Sequence, residues 1–164
     1  DSTLVVDNIS VASNTPQVPG DFDGDGLLTA VDIDLLSEEV RAMTNLPDFD
    51  LNSDNLVNDE DRRIWVEDLK FTYFGDANLD GEFNSSDFVQ VFQRGLYEDN
   101  IPLNANWEDG DWNGDADFDS SDFVTAFQGG GFEIGPRQGV AAVPEPSADV
   151  LFGLGLLAFV LRRR

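Results

Sequence analysis

The residues that could do chemistry in this chain are carboxylates, amides and hydroxyls set at alternating positions. From Asp76 to Asp87 the sequence reads Asp-Ala-Asn-Leu-Asp-Gly-Glu-Phe-Asn-Ser-Ser-Asp, and from Asp111 to Asp122 it reads Asp-Trp-Asn-Gly-Asp-Ala-Asp-Phe-Asp-Ser-Ser-Asp. Oxygen-bearing side chains fall at positions 1, 3, 5, 9 and 12 of each stretch. That spacing wraps a short loop around one hard cation, and the main-chain carbonyl of position 7, here Glu82 or Asp117, adds a ligand. Two earlier stretches keep the pattern. One carries Asp21, Asp23, Asp25, Thr29 and Asp32, with Leu27 at position 7, and the other Asp50, Asn52, Asp54, Asn58 and Asp61, with Leu56 at position 7. The competing reading of each cluster is a solvated acidic turn.

Composition narrows the chemistry further. The formal net charge is -24, which repels nucleic acid and attracts cations. An even spread of acid would suggest disorder, but here each acidic cluster is followed by an apolar stretch. The chain has no Cys and no His, so thiolate chemistry, the commonest general base and the usual zinc ligand are all missing. With the carboxylates committed to the loops, no catalytic dyad is left, and we expect no enzyme within these residues.

Four helices must position the loops. The first is expected from about Val31 to Met43, where Ile33, Leu36 and Val40 share a face. The second is expected from about Asp59 to Tyr73, with Trp65, Leu69 and Tyr73 in one row. The third and fourth start at Ser85 and Ser120. Phe88, Val91 and Phe92 line one of them, Phe123, Ala126 and Phe127 the other, and Gly95 and Gly130 stand at their ends. A shift of 35 residues superposes Asp76 on Asp111 and Phe88 on Phe123, so loop plus helix is a repeated unit. Position 6 needs positive φ. It holds Gly26 and Gly81, then Asn55, which tolerates that region, and Ala116, which is strained there. Position 8 is apolar throughout, as Leu28, Val57, Phe83 and Phe118. We expect these residues to face one another across short antiparallel bridges that pair the loops. Trp107 and Trp112 are open to two readings, half-buried packing and stacking on sugar rings.

With loops, helices and pairing in place, residues 20 to 133 resemble a dockerin-type module, in which an EF-hand calcium loop and its exiting helix are duplicated. Asp rather than Glu at position 12 is also typical of dockerins. The resemblance implies one Ca²⁺ for each of the four ligand sets, up to four in all. The third set is Asp76, Asn78, Asp80, Asn84 and Asp87, and the fourth Asp111, Asn113, Asp115, Asp119 and Asp122. It further implies a cohesin-like partner, met in dockerins by hydroxyls at positions 10 and 11. Those are Ser85, Ser86, Ser120 and Ser121 in the last two loops, whereas the first two carry Ala30-Val31 and Asp59-Glu60. Ser also favours helix N-termini, so capping is the other reading. Four loops exceed the usual two.

The ends of the chain differ from its middle. Val5 to Val11 partly alternates, which suggests a strand and weakly resembles the close of a jelly-roll domain, with a frayed terminus as the alternative. The chain starts at Asp1 without Met or signal peptide, which predicts a mature chain or a fragment. At the other end Pro144, Glu145 and Pro146 precede an apolar run from Val150 to Leu161 and then Arg162-Arg163-Arg164. Motif, apolar span and basic end together resemble a PEP-CTERM sorting signal. The physics agrees, because the arginines would stay cytoplasmic while the apolar helix inserts. That resemblance implies an exported bacterial protein, transiently membrane-anchored and processed by an exosortase.

The expected fold is therefore mainly α: two pairs of calcium-loop–helix units with short β-bridges, a short N-terminal strand and a C-terminal hydrophobic helix. The expected divisions are 1–15 for the tail of an upstream domain, 16–74 and 75–134 for the two loop pairs, 135–147 for a linker, and 148–164 for the sorting helix. The expected function is a calcium-binding interaction module joining an upstream domain to a partner or the cell surface. The alternatives are a calcium-set spacer without a specific partner, and the end of an extracellular polysaccharide-acting hydrolase.

Overall fold

A computed structural model describes residues 18–137. The expected N-terminal strand and C-terminal hydrophobic helix lie outside the described residues. Within them are four α-helices and no strand or sheet: α1 Ala30–Ala42, α2 Asp59–Ile64, α3 Ser85–Arg94 and α4 Ser120–Gln128. Short 3₁₀ turns, Pro47–Phe49 and Trp107–Asp109, precede the second and fourth acidic loops.

Each helix starts where its loop ends, and the same two residues define both. The N-caps are Thr29, Asn58, Asn84 and Asp119, which occupy loop position 9. The N3 residues are Asp32, Asp61, Asp87 and Asp122, which occupy position 12. Each N3 carboxylate accepts the N-cap N–H at 2.8 or 2.9 Å. An acidic N3 side chain that reaches back to the cap satisfies a backbone donor the helix cannot use.

α2 is shorter than its apolar pattern suggests. After Ile64 the chain widens into a π-turn, Trp65–Leu69, and the Lys70 N–H donates to the Trp65 carbonyl at 2.9 Å. Phe71 then takes φ 56°, and the helical path ends. The expected helix to Tyr73 and the row Trp65–Leu69–Tyr73 are corrected accordingly. The widened turn leaves the Trp65 indole donating to the Gly20 carbonyl at 2.8 Å and Lys70 Nζ to the Leu28 carbonyl at 2.7 Å. Both contacts tie α2's end to the first loop. Tyr73 instead lies in the connection to the third loop, buried under Gly131 and the Arg137 guanidinium.

The expected bridges between position-8 residues are not formed. The isolated bridge among the described residues joins Phe83 to Phe132, and it is parallel. The Phe83 carbonyl accepts the Glu133 N–H at 2.8 Å, and the Phe118 carbonyl accepts the Glu98 N–H at 2.9 Å. Each loop of the second half is thus hydrogen-bonded to the chain leaving the other loop's helix. The reason is steric. The Phe83 and Phe118 rings fold back over Gly75 and Gly110, where an added Cβ would sit 2.6 and 2.5 Å away. With the rings turned inward, the carbonyls face the exit segments. Val57 behaves likewise, its N–H donating to Asn45 Oδ1 just beyond α1 at 2.8 Å.

One core joins all four units. Ile33, Leu36, Trp65, Val66, Phe83, Val91, Trp107, Trp112, Phe118 and Ala126 are buried. Phe83, Phe88, Trp112, Phe118 and Phe123 form a mesh of edge-on and tilted rings, with centroids 5.5 to 6.4 Å apart. Such pairs stabilise beyond the area they bury. Trp107 and Trp112 are wholly inside this core, deeper than the half-buried packing expected and closed to sugar stacking.

Candidate metal centre

The four acidic loops share one hydrogen-bond pattern, and its geometry follows from the residue types. The position-1 carboxylates Asp21, Asp50, Asp76 and Asp111 accept the position-6 N–H at 2.8 or 2.9 Å. This closes the turn only if position 6 has positive φ, and Gly26, Asn55, Gly81 and Ala116 have φ 90°, 70°, 93° and 71°. The position-3 side chains of Asp23, Asn52, Asn78 and Asn113 accept the position-5 N–H at 2.8 to 3.0 Å. Asp25, Asp54, Asp80 and Asp115 at position 5 accept the N–H of Leu27, Leu56, Glu82 and Asp117 at 2.8 to 3.0 Å. Position 12 locks the far side. Asp32, Asp61, Asp87 and Asp122 accept the position-2 N–H at 2.7 to 3.0 Å while capping the helix.

The donors fit a divalent cation. In the first loop, oxygens of Asp21, Asp23 and Asp25 all lie within 4.8 Å of one another. Ligands on opposite sides of a Ca²⁺ ion, each about 2.4 Å from it, are about 4.8 Å apart. The other three loops carry Asn at position 3, so a third oxygen comes from an amide in place of a carboxylate. No His or Cys competes, and an all-oxygen set suits Ca²⁺ over zinc. The expected position-9 ligands Thr29, Asn58, Asn84 and Asp119 are also the helix N-caps. Asn58, Asn84 and Asp119 each accept the N–H two residues on, at 2.6 to 2.8 Å.

The electrostatics of the loops point the same way. Burial pushes Asp122 up to about 7, with Asp111 and Asp115 adding repulsion. Burial likewise lifts Asp76 to about 6, aided by Asp87 and Asp80. Asp87 and Asp111 are also raised, mainly by burial. A carboxylate held out of water among others of its sign resists ionisation, and a bound cation relieves that.

The four serines divide. Ser86 Oγ donates to Asn84 Oδ1 and Ser121 Oγ to Asp119 Oδ1, both at 2.7 Å, so these hydroxyls serve the helix starts. All four serines are exposed, beside Val89, Phe92, Val124 and Phe127, whose side chains are also open to solvent.

Sequence reasoning passed over two features. The residue before the first, third and fourth loops is Gly20, Gly75 or Gly110, with φ 85°, 104° and 112°. Each lets an aromatic ring lie on the backbone, that of Trp65, Phe83 or Phe118. The recurring Gly-Asp pair was the available signal. The other is Arg62, which is buried and donates to the carbonyls of Trp112 and Asn113 at 3.0 and 2.5 Å. Only its basic character in so acidic a chain singled it out.

Comparison with known families finds a PEP-CTERM protein-sorting motif over residues 142–164, with no family match for the dockerin-like repeats. The chain therefore carries the signal of an exported protein, anchored in the membrane through its C-terminus before a sorting enzyme of the exosortase type processes it. Among the described residues no helix is long and apolar enough to cross a membrane. No curated protein matches the chain, and no solved structure does.

Proposed function

We propose that residues 20–133 form a calcium-binding, dockerin-like interaction module of an exported protein, joining an upstream domain to a partner or to the cell surface. The observation that carries this reading is the repeated loop. Four times the chain places oxygen ligands at positions 1, 3 and 5 and a positive-φ turn at position 6, with a carboxylate at position 12 that is both loop lock and helix cap. Calcium at each loop would be held by the side chains at positions 1, 3, 5, 9 and 12 and the position-7 carbonyl. The ion would supply the positive charge that the crowded carboxylates lack. Extracellular calcium, at roughly millimolar level, fills even weak sites of this type. The sorting motif fits that compartment.

The partner-facing surface on this reading is the exposed face of α3 and α4, with Ser85 and Ser120 at its rim. A cohesin-like domain is the partner the repeat resembles. The spacer reading draws support from Ser86 and Ser121, whose hydroxyls are engaged inside their own loops.

Calorimetric titration of Ca²⁺ into chelated protein, followed in parallel by circular dichroism, tests the metal reading. Binding with a gain of helix supports it, and a chelated chain as helical as the loaded one removes it. Pull-down of cell-surface proteins with the wild type and a Ser85→Ala/Ser120→Ala variant separates module from spacer.

A further inference from the structure

The fourth loop differs from the others in what surrounds it. Among the described residues, Asp111 is the one position-1 carboxylate with a guanidinium within 4.0 Å, that of Arg41 on α1. Arg41 Nη1 also donates to the Gly114 carbonyl at 2.7 Å. Arg62 on α2 takes the next two carbonyls, with Nη1 on Asn113 at 2.5 Å and Nη2 on Trp112 at 3.0 Å. Its Nε donates to Ser37 Oγ at 2.9 Å, and Asp59 lies 3.6 Å from Nη1. Three consecutive carbonyls of the fourth loop are thus held by two bases from the first half of the chain.

A buried guanidinium is costly unless its donors are met. Arg62 is 2% exposed, and the two carbonyls that meet its terminal nitrogens, those of Trp112 and Asn113, belong to the fourth loop. Gly114 is shaped for this contact. It has φ 85°, and an added Cβ would stand 2.5 Å from Arg62 Cζ. Lys70 approaches the first loop too, but it meets a single carbonyl, that of Leu28 at position 8.

From this geometry we infer that Arg41 and Arg62 hold the backbone of the fourth loop closed through its carbonyls, so that this loop keeps its shape without metal and latches the two halves together. The inference rests on the calcium reading of the loops. The chain then holds two kinds of loop, three that close on the ion and one that is closed by folding of the first half.

Amide hydrogen exchange, read by NMR at the position-6 residues Gly26, Asn55, Gly81 and Ala116, separates these. In chelator the Ala116 amide is expected to exchange at least about tenfold more slowly than the other three. Added Ca²⁺ should bring all four to similar protection. Arg41→Gln, at a partly exposed position, should remove the difference in chelator, while Arg41→Lys should retain part of it. Arg62→Met should have the larger effect, and Arg41→Gln keeps the test usable if that variant fails to fold. Equal exchange of the four amides in chelated wild type overturns the inference, as does an Arg41→Gln variant that leaves Ala116 protected. Failure of the calcium reading looks different, because then no loop gains protection when Ca²⁺ is added.

Discussion

The indole of Trp107 donates its Nε1–H to the main-chain carbonyl of Asp76 at 2.7 Å, inside the core and between two loops. Asp76 is the first residue of the third loop, and Trp107 stands just before the fourth. The backbone N–H of Trp107 donates in turn to Asp34 Oδ1 on α1 at 2.8 Å. One aromatic residue therefore fixes the third loop, the approach to the fourth, and the first helix relative to one another. Trp107→Phe would keep most of the packing and leave a buried carbonyl without its donor. The expected loss is about 2 kcal/mol, from the unsatisfied acceptor and the smaller ring together. Urea unfolding in excess Ca²⁺ measures it. A loss under about 0.5 kcal/mol would show that the indole N–H is not structural.

Glycines with the same sign of φ should respond differently to a methyl group. Gly24 has φ 79°, with nothing within 4 Å of an added Cβ, so Gly24→Ala should cost only the backbone strain, about 1 kcal/mol. Gly75 has φ 104°, and its Cβ would meet the Phe83 ring at 2.6 Å. Gly75→Ala must displace a fully buried ring and should cost about 3 kcal/mol or more. The two variants, compared by thermal unfolding at fixed Ca²⁺, separate strain from overlap. Equal losses would mean that the Phe83 ring is free to move aside.

What was legible in the sequence and what was not divides along range. The loop positions and the acid at position 12 are legible, because each interaction joins residues no more than about ten apart in sequence, whereas the capping expected of the serines at positions 10 and 11 falls instead on position 9. Gly26, Asn55, Gly81 and Ala116 were read as positive-φ positions for the same reason. The partner of Phe83 could not be read. Its apolar character showed that it was buried, but the choice between Phe118 and Phe132 depended on which way a ring turned in the assembled core. The end of α2 was missed because Tyr73 keeps the helical spacing while Trp65 pulls the turn open toward Gly20. Arg62 carried no local pattern at all, since its acceptors Trp112 and Asn113 lie some fifty residues away.

Ala116 offers a stabilising change. It is the position-6 residue of the fourth loop, at φ 71°, where the other loops use Gly or Asn. Left-handed backbone costs a Cβ-bearing residue roughly 1 kcal/mol, part of which glycine returns through its freer unfolded state. Ala116→Gly is expected to raise stability by about 0.5 kcal/mol, read as a higher urea midpoint with unchanged slope. The N–H of residue 116 would still reach Asp111, so the loop's hydrogen bonds are preserved. A destabilised variant would mean that the buried Ala116 methyl contributes more by packing than it loses by strain.

Stability of the calcium-free chain should fall as pH rises, the reverse of the usual behaviour of an acidic protein's paired carboxylates. Asp122 is raised to about 7, and Asp76 and Asp34 to about 6, from an ordinary value of 3.8. For Asp34 the cause is again burial, with Asp111, Asp109 and Glu108 adding repulsion. A carboxyl whose folded value exceeds its unfolded value binds its proton more tightly in the folded state. Its contribution is complete below the unfolded value and is lost as pH climbs through the folded one. In chelator, helicity and urea midpoint should therefore decline from about pH 4 to about pH 8. Asp34→Asn, which keeps an oxygen for the Trp107 N–H, should flatten part of that decline and stabilise the chelated chain at pH 8 by on the order of 1 kcal/mol, reduced by the solvent reaching this half-buried group. With Ca²⁺ bound the direction inverts, because protons and cation compete for the same oxygens and acid releases the metal. Urea midpoints at pH 5.5 and 8, with chelator and with excess Ca²⁺, give four values whose ordering is fixed by this argument. In chelator the lower pH must be the more stable, and in Ca²⁺ the higher. A chelated chain more stable at pH 8 would show that these carboxylates are already neutralised by groups within the protein, and that the loops do not depend on an ion for charge balance.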